Sequence, residues 1–240
     1  MKQLEDKIAI VTGASSGIGR GIAHTFAKEG AKLVIAARNQ QRLGIVADEL
    51  RVLEARVLSV PTDVSQEAQV ITLFQEAMQE FGRLDILVNN AGIYEEAPLD
   101  EMSLEMWQRT LNIDLTGPFL CTREAMKIMK RQGGGRIINI GSISAQMPRA
   151  NSAAYNCAKI GIVALTKTTA LEGRPFRVVA GCIHPGNVAT ASVPPSQSTE
   201  PMMPIDDLVR AVVTMAALPL SVNMLEAIVL PTTQAYLGRG

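Results

Sequence analysis

Three observations in the sequence predict a doubly wound α/β domain built on a parallel sheet. Short apolar runs alternate with amphipathic helical patterns along the chain. The first run passes through a glycine-rich turn straight into a helix, and the residues with chemistry to offer fall just after apolar runs, where parallel strands present their carboxyl ends. The chain's 240 residues are 47% hydrophobic and 19% charged, enough apolar material for one large core in a single domain spanning residues 1–240.

Residues 7–12 (KIAIVT) read as a buried strand and lead into GASSGIG and a helical pattern through Ile22, Phe26 and Ala27. Gly13, Gly17 and Gly19 permit a tight turn and close backbone approach. Ser15, Ser16 and Ile18 lie where the helix opens, so its free N–H groups would face a phosphate. The spacing G-x-x-x-G-x-G differs from the G-x-G-x-x-G dinucleotide fingerprint; the strand before and the helix after are what point to pyrophosphate binding. A second strand, 32–37 (KLVIAA), ends at Arg38 and Asn39. An NAD site would place a carboxylate there for the ribose hydroxyls; its absence, and the planar cation of Arg38, favour NADP (NADPH) over NAD. The plainer alternative for Arg38 is an ordinary surface cation.

A charged helix over 40–55 and a third strand over 56–60 precede Asp63 and Val64. Asp63 has two candidate tasks, capping the helix over 65–81 or facing an adenine amino group. The fourth strand, 84–90 (LDILVNN), carries Asn89 into Ala91 and Gly92, small residues that keep backbone close to a cofactor. A long helical segment follows over 104–131. Gly117 and Pro118 predict a local irregularity within it, which singles out Asn112. The fifth strand, in RIINIGS, delivers Ser142, and a helix running to about residue 171 carries Tyr155 and Lys159. The sixth strand, 177–183, ends at His184, Pro185 and Gly186. Residues 187–204, which include Val188 and Thr190, are rich in Pro, Ser and Thr, and read either as a lid over a site or as a passive surface loop. A helix over 205–218 and a strand over 225–230 close the chain.

Tyr155 and Lys159 are four apart and share one helix face. A phenol is a poor acid or base near neutrality, and a fixed ammonium nearby favours its ionised form. Balanced charge, with 23 basic and 23 acidic residues, gives no attraction for nucleic acid or anionic membrane. Three scattered cysteines and two histidines supply neither a disulfide framework nor a metal site. With no apolar run long enough to span a bilayer and no signal-peptide pattern, a cytoplasmic protein is expected.

With these residues in place, the chain resembles the short-chain dehydrogenase/reductase family over essentially its whole length. The resemblance rests on TGASSGIG at 12–19, Asp63 and Val64, NNAG at 89–92, Asn112, Ser142, the Tyr155-x-x-x-Lys159 pair, and Pro185 with Gly186. It implies a Rossmann-like three-layer sandwich with a seven-stranded, mainly parallel sheet, a nicotinamide cofactor, and hydride transfer between that cofactor and a carbonyl or alcohol. Tyr155 would be the general acid or base, and Lys159 would assist it and hold the nicotinamide ribose. Ser142 would hold the substrate oxygen, and Asn112 would position a water next to Lys159. The family also implies a homodimer or homotetramer through the helices near 104–131 and 152–171. Competing functions are a dinucleotide-binding sensor or scaffold without turnover, and an epimerase or dehydratase on the same fold.

Overall fold

The computed structural model describes residues 2–190, 196 and 200–235. Seven strands, β1 (Ile8–Thr12), β2 (Lys32–Ala37), β3 (Val57–Pro61), β4 (Ile86–Asn89), β5 (Gly135–Ile140), β6 (Val178–Pro185) and β7 (Glu226–Val229), form one sheet in the order β3-β2-β1-β4-β5-β6-β7. Every adjacent pair is parallel. The strand order reverses between β1 and β4, so a crevice opens beyond their carboxyl ends.

Alternation along the strands builds two cores. Ala9, Val11, Leu33 and Ile35 point to one face, where they meet α1 (Gly17–Lys28), α2 (Gln40–Val52) and α7 (Ile205–Ala217). Ile10, Val34 and Ala36 point to the other, toward α3 (Glu67–Phe81) and α5 (Gly117–Gln132). Strands buried on both faces explain the unbroken apolar runs in the sequence. α6 (Ala153–Gly173) packs beside α5 and against β6.

The predicted irregularity in the 104–131 segment is a π turn. α4 (Leu104–Leu111) gives way to a π segment, Asn112–Thr116, before α5 begins. Pro118 lacks an N–H and leaves the carbonyl one turn earlier without its helical donor, and the Gly117 N–H reaches back five residues to the Asn112 carbonyl. Gly161 of α6 lies against this turn, since a Cβ there would meet Leu115 Cδ2 at 2.8 Å.

Several boundaries move. The third strand starts one residue late and includes Pro61, and the helix before it ends at Val52. The sixth strand runs on through Pro185. Asp63 does not cap α3: its Oδ1 accepts from the Ser65 N–H (3.0 Å) and hydroxyl (2.7 Å) in a local turn, and Gln66 occupies the cap position. Most of the predicted lid, residues 191–195 and 197–199, lies outside the described residues, as do 236–240. No helix among the described residues is long and apolar enough to cross a membrane.

Candidate active site

Two adjoining cavities occupy the crevice. The first, of about 490 Å³, is floored by Gly13, Ser15, Ser16, Gly17 and Ile18 and reaches across Arg38, Asn39, Asp63, Val64, Ala91 and Gly92. The second, of about 420 Å³, contains Ser142, Tyr155, Lys159, Pro185, Gly186 and Val188. Ile18, Asn90, Gly92 and Thr190 line both, which makes them one trough.

The glycine turn is built for close approach. Gly13 has φ +66°, and a Cβ at Gly19 would lie 2.3 Å from the Gly13 carbonyl oxygen. Ser16 precedes α1 without a side-chain cap, so the first-turn N–H groups of this helix have no side-chain acceptor at its cap. That arrangement, opening into the first cavity, fits a pyrophosphate. At the end of β2, the Asn39 Oδ1 accepts from the Arg42 N–H and caps α2. Arg38 and Arg42 both line the cavity, and neither forms an ion pair among the described residues.

The second cavity collects the acid–base groups. Ser142 follows β5, and its Oγ accepts from the Ser144 N–H at 3.1 Å, which leaves the hydroxyl proton available to another acceptor. Tyr155 meets Tyr94 edge-on with ring centroids 5.0 Å apart. The Lys159 Nζ lies 5.2 Å from the Tyr155 ring centre and donates to the Ile140 carbonyl at 3.4 Å.

Asp114, in the π turn, faces Lys159 at 3.2 Å through Oδ2, and its Oδ1 accepts from the Ile93 N–H at 2.8 Å. Both side chains of the pair are buried. Burial raises the Asp114 carboxyl above its ordinary range, against the pull of Lys159. Burial alone would depress the Lys159 ammonium; Asp114 and Tyr155 together outweigh it and hold the ammonium above its usual value.

Behind Ser142 lies His184, fully buried, with Nδ1 donating to the Ser142 carbonyl at 3.0 Å. Its Nε2 faces Glu226 Oε2 at 3.5 Å. Burial lowers the His184 pKa, partly offset by these two partners.

Three expected site residues are elsewhere. Asn112 is exposed and lines neither cavity; Asp114, two residues on, holds the place beside Lys159. Asn89 is buried under the trough, donating to Asn139 Oδ1 (2.8 Å) and Thr122 Oγ1 (3.1 Å), and Asn90 is the trough residue. Gly19 packs beneath the turn and lines neither cavity. Arg42 and Asp114 escaped the sequence reading, and Asn90 entered it only as part of the NNAG motif. For Asp114 a signal existed: Thr110, Ile113, Asp114, Gly117, Pro118 and Cys121 form a buried stripe at helical spacing, and Asn112 falls off it.

The short chain dehydrogenase family model matches residues 7–201. The chain is 36% identical over 211 residues to a 3-oxoacyl-[acyl-carrier-protein] reductase of Synechocystis, covering 88% of this chain and 85% of that protein. It is 40% identical over 189 residues to the cis-4-hydroxycyclohexanecarboxylate dehydrogenase of Sinomonas cyclohexanicum, covering 78% and 76%. Among solved structures, 3-ketoacyl-(acyl-carrier-protein) reductase from Brucella melitensis complexed with NADH superposes with a TM-score of 0.87 at 32% identity, covering 95% of this chain and 98% of that one. The sheet, the trough and these matches define a nicotinamide-dependent oxidoreductase fold. The chain belongs to the short-chain dehydrogenase/reductase family.

Proposed function

We propose that the protein is an NADP-dependent oxidoreductase that interconverts a small carbonyl compound and its alcohol. The observation that carries this reading is the convergence of Ser142, Tyr155 and Lys159 on one cavity that runs on from the glycine turn. The residues of the first cavity suit a dinucleotide: α1 and its glycine turn would hold the pyrophosphate, Ala91 and Gly92 would flank the ring system, and Lys159 would reach the nicotinamide ribose. Arg38 and Arg42 would bind the 2′-phosphate, since no carboxylate at the end of β2 repels it. When bound, the nicotinamide supplies or takes up the hydride.

The chain's own groups handle the oxygen. Ser142 donates its hydroxyl proton to the substrate oxygen and fixes it beside the Tyr155 hydroxyl. As the carbonyl is reduced, negative charge grows on that oxygen, and Tyr155 delivers a proton to it. Lys159 stabilises the resulting phenolate through its fixed positive charge. In alcohol oxidation the same proton moves the other way. We further infer a cytoplasmic homodimer or homotetramer acting on a small molecule, without nucleic-acid or membrane partners.

The test is oxidation of NADPH, with NADH alongside, against ketones, aldehydes, diketones, quinones and steroids. Turnover with NADPH well above NADH is expected, and removing Arg38 and Arg42 together should erase the preference. Preference for NADH in the wild type would overturn the cofactor assignment. Tyr155→Phe should abolish turnover while nicotinamide binding persists; undiminished turnover would overturn the role of Tyr155.

A further inference from the structure

Only two cations line the catalytic cavity among the described residues, Lys159 and Arg149. The charge of Lys159 is answered by the buried Asp114. Arg149 sits on the wall between the catalytic cavity and a neighbouring one of about 280 Å³, which Ile143, Met147 and Pro148 help to line.

Its main chain is fixed from the catalytic helix. Asn156, next to Tyr155, donates from Nδ2 to the Arg149 carbonyl (2.8 Å) and accepts from the Arg149 N–H (3.4 Å). The guanidinium Nη2 donates to Asn187 Oδ1 at 2.9 Å and to Glu200 Oε2 at 3.1 Å. Asn187 Nδ2 donates to that same Glu200 oxygen at 2.7 Å. Asn187 is itself held, its N–H donating to Gln234 Oε1 at 3.0 Å. A guanidinium and an amide thus converge on one carboxylate oxygen, which is the chemistry by which proteins recognise carboxylates.

We propose that Arg149 and Asn187 form a carboxylate subsite of the active site, with Glu200 as its internal occupant. The substrate is then an oxo- or hydroxy-carboxylate whose anionic end displaces Glu200 while its reacting oxygen meets Ser142 and Tyr155. This inference rests on the oxidoreductase reading above for the placement of the reacting oxygen. A plain tether between residue 149 and the 187–204 segment would use the same bonds, but it differs in sign when either end is changed. As a subsite, Arg149→Gln removes the receptor and Glu200→Gln removes the competitor, so their effects on an anionic ligand are opposite. As a tether, both changes loosen the same contact and act alike.

The experiment uses a series of oxo-carboxylates, from 3-oxobutanoate to 4-oxocyclohexanecarboxylate, each paired with its methyl ester. Wild-type protein, Arg149→Gln and Glu200→Gln are compared by KM and kcat with NADPH, and by calorimetric titration in the presence of NADP+, which has no hydride to transfer and leaves the oxo-acid unreacted. For the best acid, Arg149→Gln should raise KM and Kd about tenfold or more, with kcat and the ester constants within about twofold. Glu200→Gln should lower the acid's KM and Kd several-fold and leave the ester alone. Shifts of the same sign in both variants, equal effects on acid and ester, or no acid bound more tightly than its ester would overturn the subsite. Acid-selective binding lost in Arg149→Gln, without turnover of any compound, would leave the subsite standing and overturn the oxidoreductase reading instead. Turnover of esters alone would do the reverse.

Discussion

Asp114 and Lys159 stand 3.2 Å apart out of solvent, and that pair limits how much of the lysine's charge reaches Tyr155. The carboxylate partly cancels the field that favours a phenolate. Asp114→Asn keeps an oxygen for the Ile93 N–H and removes the negative charge. Without that charge, burial is left to lower the Lys159 ammonium, so the alkaline limb of kcat/KM against pH should move to lower pH; an unmoved limb would show that the carboxylate does not hold the lysine charged. His184 makes a separate prediction. It is buried, its pKa is lowered by that burial, and in the unfolded chain it titrates near about 6.5. The unfolded state therefore binds more protons as pH falls below that value, and stability drops toward the folded pKa. His184→Gln should remove this component: the wild type's thermal midpoint should fall more steeply than the variant's between pH 7 and pH 5. Parallel slopes would mean that His184 is not buried as a neutral base.

At the scale of elements, the glycine turn between β1 and α1 contrasts with a glycine that merely lies within a helix. A Cβ at Gly19 would strike a backbone oxygen at 2.3 Å and Asn90 Nδ2 at 2.4 Å, and backbone cannot swing aside. Gly19→Ala should cost about 1–3 kcal/mol and weaken nicotinamide binding through the displaced turn. Gly44 in α2 has nothing within 4 Å of such a Cβ, so Gly44→Ala should stabilise by about 0.5–1 kcal/mol through helix propensity alone. Urea unfolding of the two variants checks both signs; equal effects would mean that the turn yields more than its geometry implies. Elements were legible in the sequence where period and burial coincide: β2 and the start of α7 fall where the apolar pattern puts them. The π turn was legible only as a disturbance. A 3.6-residue period cannot show one extra residue in a turn, and Asp114 was hidden because a carboxylate on a buried stripe reads as an interruption until its lysine is placed in space.

Across the whole molecule, the doubly wound parallel sheet followed from the alternation of runs and helices, whereas the order of its strands and the trough needed coordinates. Asn89 and Asn90 are adjacent, yet one belongs to the buried ladder with Asn139 and the other to the cavity wall, a difference of strand register that composition does not carry. The assembly proposed above makes the last prediction. Leu104 of α4, Phe119 of α5, and Ile160 and Leu171 of α6 are exposed on the helices expected to meet a second copy. Phe119 also borders a groove of about 360 Å³ between α5 and α6, with Met126 and Leu165 in its lining. Apolar side chains of this size on three helices cost solvation in a monomer and favour a covered face. Light scattering at micromolar concentration should give twice or four times the chain mass. Phe119→Glu places a charge in that face and should shift the population toward monomer, with the far-ultraviolet dichroism of the fold retained. A wild-type protein of single-chain mass would overturn the assembly. An oligomer indifferent to Phe119→Glu would move the interface from this face to the edge of the sheet, where β7 leaves Ile228 exposed.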